Sequence, residues 1–142
     1  MDNSSHNPQI HRTLVPEYRR VSVTAKLFDY HFATRVEPLV FNMTSHLSKG
    51  YAGGYWAFYT LSNGGFYMAP ASEETFHVIA TNFYQGDMSA DALGITACLY
   101  AYSHLAFGNM PALAMTCSEQ YHLLREFAFD HAEVEAIMQA ID

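Results

Sequence analysis

Tyr51–Pro70 reads YAGGYWAFYTLSNGGFYMAP, and its centre, Asn63-Gly64, decides the fold. A two-residue type I′ turn needs positive φ at both central positions, which Asn and Gly tolerate best. The flanking residues are aromatic and apolar, types that suit a pleated, half-buried surface. The stretch therefore predicts a β-hairpin. A two-residue loop sets the register: Leu61 opposite Phe66, Thr60 opposite Tyr67, Tyr59 opposite Met68 and Phe58 opposite Ala69. Tyr55, Ala57, Tyr59, Leu61, Phe66 and Met68 then share one face, and Trp56, Phe58, Thr60, Tyr67 and Ala69 the other. Both faces are largely apolar, so the hairpin should lie inside a larger sheet or be covered on both sides by other elements, with Trp56 buried.

Working outward, Thr75–Thr81 alternates as a third strand, and an antiparallel meander is the simplest way to join three successive strands. Phe83–Gly86 supplies either a short further strand or a turn. Ser89 is placed to cap a helix over Ala90–Phe107, with Asp91 in the first turn where the helix dipole favours an anion. That helix is apolar around most of its circumference and should be central. Gly94 inside it implies close approach of another backbone. Gly108-Asn109 and Pro111 end it. Ser118 then caps a helix over Glu119–Phe129, and Asp130–Glu133, a D-x-x-E capping box, starts the last helix. On the amino-terminal side, helical spacing runs over Val21–Phe32, and Thr34–Glu37 (T-x-x-E) caps a helix over Val36–Leu47. The fold class is α+β: a small antiparallel sheet, a meander on the central hairpin, packed against several helices.

The string GGYWAFYTLSNGGFYMAP is similar to the signature of the antirestriction proteins of the ArdB/KlcA type, small proteins carried by plasmids and other mobile elements. GDMSADALGITACLYAYSHLA, Gly86–Ala106, resembles the family's following helix, and Ala140-Ile141-Asp142 matches its ending. The resemblance runs from about Leu14 to Asp142 and departs over Met1–Thr13 and Phe28–Lys49. It implies one antirestriction-type domain over 14–142, and the polar composition of Met1–Thr13, with few apolar residues, reads as a flexible arm in front of it. It also implies a non-catalytic inhibitor that relieves type I restriction of incoming DNA, with the type I restriction endonuclease complex as partner, reached directly or indirectly.

Composition limits the alternatives. Residues 1–49 hold six of the seven Lys and Arg against four acids, and residues 50–142 hold Arg125 against ten, for a net charge of −7. Nucleic-acid backbones are gripped by Lys and Arg, so direct binding is disfavoured. An accessory protein that meets nucleic acid through the basic amino-terminal third is the alternative. The acids are also too sparse to copy a phosphate array, which carries one charge per about 1.7 Å of duplex. No apolar run reaches the roughly 20 residues of a membrane span, and no secretory signal is legible, so the expected location is the cytoplasm.

Chemistry is sought without success. Cys98 and Cys117 lack redox or metal spacing and read as small buried residues. The eight histidines form no HExxH or Cys-His pattern, and His77 and His104 read as hydrogen-bonded core residues. Asp87 and Asp91 flank a helix start, where capping duty accounts for both without a cation. No catalytic residue, metal or cofactor is expected. The acids left over after capping and core duties, Glu73, Glu74, Asp87 and Asp142, are the candidates for contact with a basic partner.

Overall fold

The computed structural model describes residues 9–142. Among these, two small antiparallel sheets pack with helices in an α+β arrangement: β1 (Arg12–Leu14), α1 (Arg20–Phe28), α2 (Glu37–Leu47), β2 (Trp56–Leu61), β3 (Phe66–Pro70), β4 (Thr75–Ile79), β5 (Gln85–Ser89), α3 (Ala90–Ala106), α4 (Pro111–Ala128) and α5 (Val134–Ile141).

The hairpin forms as β2–β3, but one residue out of the expected register. Thr60 faces Phe66, Tyr59 faces Tyr67, Phe58 faces Met68 and Ala57 faces Ala69. The loop has three residues, Ser62-Asn63-Gly64. Gly64 N–H donates to Leu61 O at 2.9 Å, Leu61 N–H donates to Gly65 O at 2.8 Å, and only Gly64 of the central pair takes positive φ, +97°. This is a type I turn closed by a left-handed glycine in a bulge. Asn63 is held otherwise. Its side chain accepts from Gly65 N–H and donates to Leu123 O on α4.

Because side chains alternate with period two, the shift exchanges the faces of one strand against the other. Phe58 and Phe66 now share a face, and each meets Phe32 edge-on with centroids 5.6 Å apart. Tyr67 and Ala69 share the opposite face with Tyr59 and Ala57, toward α3 and α4. The hairpin is covered on both sides, as its composition requires. Trp56 is 4% exposed, meets Phe41 edge-on and donates from Nε1 to Tyr51 Oη at 2.7 Å.

The expected third strand, β4, does not join the hairpin. β1 pairs with the outer edge of β2, while β4 pairs with β5 in a separate ribbon. The reason lies in the junction at Ser89, which ends β5 and caps α3 by accepting from Ala92 N–H. With no loop between strand and helix, the ribbon must sit at the start of α3 rather than on the edge of β3. The arm expected over 1–13 falls partly on residues 1–8, outside the described residues; Arg12 and Thr13 are ordered in β1.

The amino-terminal helices differ from expectation in how they begin and end. α1 stops at Phe28, where Asp29 takes φ +58°. Thr34 does not cap α2, because Phe32–Val36 is already a wide, π-helical turn running into it, and Thr34 Oγ1 donates back to Tyr30 O. Phe28 and Phe32 use this segment to reach the hairpin.

The carboxyl-terminal half also rearranges two signals. Pro111 opens α4 rather than ending α3, since a proline at the first helical position loses no hydrogen bond. Ser118 consequently lies inside a helix, beside the buried Cys117. The D-x-x-E box does not cap α5, whose first residue is Val134, and Glu133 turns instead toward Ser89.

α3 is the centre of the molecule. Residues from Ala92 to Leu99 are buried without interruption, and α2, α4, α5 and β3 all pack on the helix. Gly94 meets β3 directly: a Cβ there would lie 2.3 Å from Ala69 Cβ and 2.6 Å from Met68 O. No side chain fits.

The β4–β5 loop, Thr81-Asn82-Phe83, repeats the β2–β3 loop. Phe83 N–H donates to Ala80 O at 3.0 Å, Ala80 N–H donates to Tyr84 O at 2.9 Å, and Asn82 Oδ1 accepts from Tyr84 N–H as Asn63 Oδ1 does from Gly65 N–H. The left-handed position is filled by Phe83, φ +74°, where the first loop has glycine. A side chain in this conformation costs roughly 1–2 kcal/mol.

The Gly94 contact yields a stability prediction. Gly94→Ala should destabilise by about 3 kcal/mol, because the β3 backbone has to move to admit the methyl group. Gly50→Ala, where a Cβ meets nothing within 4 Å, should stay within about 0.5 kcal/mol of the parent. Urea unfolding followed by Trp56 fluorescence measures both.

Candidate functional site

Two groups of polar side chains stand out. The first gathers at the start of α3. Asp91 Oδ1 accepts from Arg12 Nη1 at 2.7 Å and from Tyr67 Oη at 2.8 Å, and Asp91 Oδ2 is 2.8 Å from His131 Nε2. Arg12 comes from β1, Tyr67 from β3 and His131 from the α4–α5 connection, so this carboxylate joins segments that are remote in sequence. Arg12 also donates to Tyr67 Oη at 2.7 Å and lies 4.2 Å over the Tyr59 ring. Glu133 completes the cluster: it accepts from Ser89 N–H at 2.9 Å and from Ser89 Oγ.

The chemistry of this cluster follows from its protons. His131 Nδ1 accepts from Glu133 N–H at 2.9 Å, so the ring proton sits on Nε2 and is donated to Asp91. Both ring nitrogens are committed. A histidine acting as general base needs one nitrogen facing substrate, and His131 has none to offer. Burial alone raises the Asp91 carboxyl, but hydrogen bonds from His131 and Tyr67 and the Arg12 charge outweigh it, holding the group below its ordinary value of 3.8. Burial, and then the neighbouring Asp91 charge, push the Tyr67 phenol far above the usual range. The arrangement is a fully bonded anion at a helix N-terminus, a cross-brace rather than a reaction centre.

The second group is the β4–β5 ribbon with its flanks. Glu73, Glu74, Asp87 and Asp142 are all exposed. They are spread along the ribbon rather than clustered. Glu73 and Glu74 precede β4, Asp87 sits opposite His77 in mid-ribbon, and the Asp142 carbonyl accepts from Asn82 Nδ2 at the loop end. Asp87 has no capping duty. Its Oδ1 lies 2.9 Å from His77 Nδ1 on the outward face, so His77 is an exposed ribbon residue rather than a core one. His104 is likewise exposed, on the turn of α3 that runs out past the core. No group of three His, Cys, Asp or Glu among the described residues is placed to hold a metal. Cys98 and Cys117 are buried free thiols.

Sequence reading placed Asp91 in the first turn of α3 but missed the rest of the cluster. Arg12, Tyr67 and His131 carry no local pattern. Their only shared signal is chemical type.

Comparison with known proteins bears on these surfaces. A model of the family described as antirestriction protein matches residues 49–142. An antirestriction protein KlcA of Escherichia coli is 46% identical over 112 residues, covering 76% of this chain and 75% of its own. The chain belongs to the antirestriction protein family. A second E. coli KlcA is 40% identical over 134 residues, covering 92% of this chain and 93% of its own. Among solved structures, one from work on KlcA and ArdB superposes with a TM-score of 0.88 at 36% identity, over 98% of this chain and 99% of that one. That work describes a novel fold and antirestriction activity against type I DNA restriction systems in vivo but not in vitro. Family membership thus covers both the hairpin and the acidic ribbon. Among the described residues, no helix is long and apolar enough to cross a membrane.

The cross-brace has a pH signature. A carboxyl with a lowered folded-state pKa contributes stability that is complete above its unfolded value, near 3.8, and is lost as pH falls through the folded value. The melting temperature should therefore fall more steeply on acidification below about pH 4 in the parent than in Asp91→Asn. At neutral pH Asp91→Asn should cost about 2 kcal/mol, the order of charged hydrogen bonds lost. Melts across a pH series measure both.

Proposed function

We propose that this protein relieves type I restriction of incoming DNA in the cytoplasm, as a non-catalytic inhibitor that acts through protein contacts. The observation that carries this reading is the structural match to KlcA and ArdB over nearly the whole chain. The type I restriction endonuclease complex, or a host component through which it is reached, is the partner.

The surface chemistry favours contact with protein over imitation of DNA. The β4–β5 ribbon spans about 17 Å by strand rise, a length in which duplex DNA presents about ten phosphates. The ribbon and its flanks offer Glu73, Glu74, Asp87 and Asp142. A phosphate mimic would also act on the purified enzyme. Activity in vivo but not in vitro, the behaviour described for the related structure, instead fits a step that needs a further cellular component. The alternative, nucleic-acid binding through the amino-terminal third, loses two of its six cations to the fold. Arg12 is bound to Asp91, and Arg20 donates to Trp56 O and Tyr55 Oη while stacking on Phe58.

The test is plating of unmodified phage on cells with an active type I system, with and without the protein. Unaltered protein should raise plating efficiency. The combined Glu73→Lys, Glu74→Lys, Asp87→Lys and Asp142→Lys variant should lose protection while melting within a few degrees of the parent, since exposed substitutions change stability by about 0.5 kcal/mol each. Full protection by the folded variant would remove the acidic contact. Failure of the unaltered protein would remove the antirestriction function for that system.

A further inference from the structure

The two hairpin loops provide a comparison inside one molecule. Their backbone bonding is the same, and each has an asparagine at the middle position bonded to a neighbouring helix. They differ in what fills the left-handed position. The first loop has Gly64, whereas the second has Phe83, whose conformation is one that side chains disfavour. Burial does not compensate, because Phe83 is 91% exposed. The residue therefore adds backbone strain and gains no burial to offset it.

The backbone that carries the ring is nonetheless fastened. Asn82 Nδ2 donates to Gln139 O and Asp142 O at 2.8 Å each, fastening the loop to the end of α5, and Asn82 Oδ1 fixes Tyr84 N–H. A large ring with few rotatable bonds on a preformed backbone loses little entropy on docking, the property of interface anchors. The surroundings set the partner's chemistry. Asp142 is joined to the loop through Asn82, Asp87 lies in mid-ribbon, and residues 71–90 themselves contain neither Lys nor Arg. Such a surface repels phosphate and attracts a basic protein surface.

We propose that Phe83 is the anchor of a protein-binding surface, seated in an apolar pocket on the partner, with Asp142, joined to the loop through Asn82, and Asp87 in mid-ribbon meeting basic residues beside that pocket. The inference deepens the antirestriction reading and rests on it for the class of partner. Phe107 is the internal control. It is 90% exposed at the end of α3 with an ordinary φ of −98°, and residues 101–110 contain no acid.

Three measurements test this. Phe83→Gly should raise the melting temperature of the purified protein by roughly 2 °C, by relieving the loop. A fall would assign the ring a folding role and overturn the proposal. Next, a photoreactive benzoyl-phenylalanine replaces Phe83 or Phe107 in cells with an active type I system, and adducts are mapped by mass spectrometry. The expected adduct forms at position 83 and not at 107, with one host protein, at an apolar segment flanked by Lys or Arg. No adduct at 83, equal adducts at both positions, or an adduct with a second copy of this chain would each overturn the anchor. Finally, Phe83→Gly should lower protection in the plating assay at least tenfold while Phe107→Ala leaves it unchanged. Full protection by Phe83→Gly also overturns it. If the unaltered protein fails to protect, the antirestriction reading falls, while the crosslink still decides whether Phe83 is an anchor.

Discussion

Direct contact between the backbone of α3 at Gly94 and the β3 segment Met68–Ala69 is the constraint on which the rest of the structure depends. A helix apolar on every side gains stability only if it is enclosed, and the nearer its neighbours approach, the more complete the dispersion contacts become. Glycine at 94 removes the one Cβ that would hold the sheet away. With the hairpin seated there, its aromatic face is left for Phe28 and Phe32, which explains why the chain widens into a π-helical turn before α2. α4 and α5 then close the remaining sides, and Tyr100 Oη, donating to Ala140 O at 2.6 Å, ties the last helix to α3.

At the start of α3 the Asp91 cluster does in polar terms what Gly94 does in apolar ones. A partly buried carboxylate is unfavourable unless its lone pairs are filled, and here Arg12, Tyr67 and His131 fill them. The partners come from both ends of the described chain, so one anion closes the fold around its central helix. Both ring nitrogens of His131 and both oxygens of Asp91 are thereby engaged within the protein.

The proposed contact surface is the β4–β5 ribbon, placed at the head of α3 by the strand-to-helix junction at Ser89. The ribbon carries exposed acids, lacks Lys and Arg, and ends in a loop fastened to α5 that holds out an aromatic ring. Local conflict with good folding chemistry, as at Phe83, tends to mark the places where a protein does something other than fold. Asp29 is the other described non-glycine residue at positive φ, whereas the matching position of the first loop is a glycine.

How far the residues alone could be read depended on the range of the interaction involved. The hairpin, the α+β class, the Ser89 cap, the central helix, the close approach at Gly94 and the family were all legible, because each rests on neighbouring residue types or on an uninterrupted string. The amino-terminal strand was not, since Arg12–Leu14 is a three-residue segment with no alternation long enough to notice, and only the open edge of β2 makes it a strand. Pro111 and the D-x-x-E box were misread because their local meaning is two-sided: a proline stops one helix or starts another, and Glu133 had Ser89 available as a stronger partner. The one-residue register shift was decided by Asn63, whose side chain is tethered to Leu123 O across the fold. Likewise the Asp91 cluster unites residues up to 119 positions apart in number, Arg12 to His131, that acquire a shared role only once the chain has closed. Sequence determined which elements form because propensity and pattern act over a few residues. Tertiary structure decided register, sheet partners and the cross-brace, because buried hydrogen bonds and backbone contacts select among alternatives that local chemistry leaves nearly equal in energy.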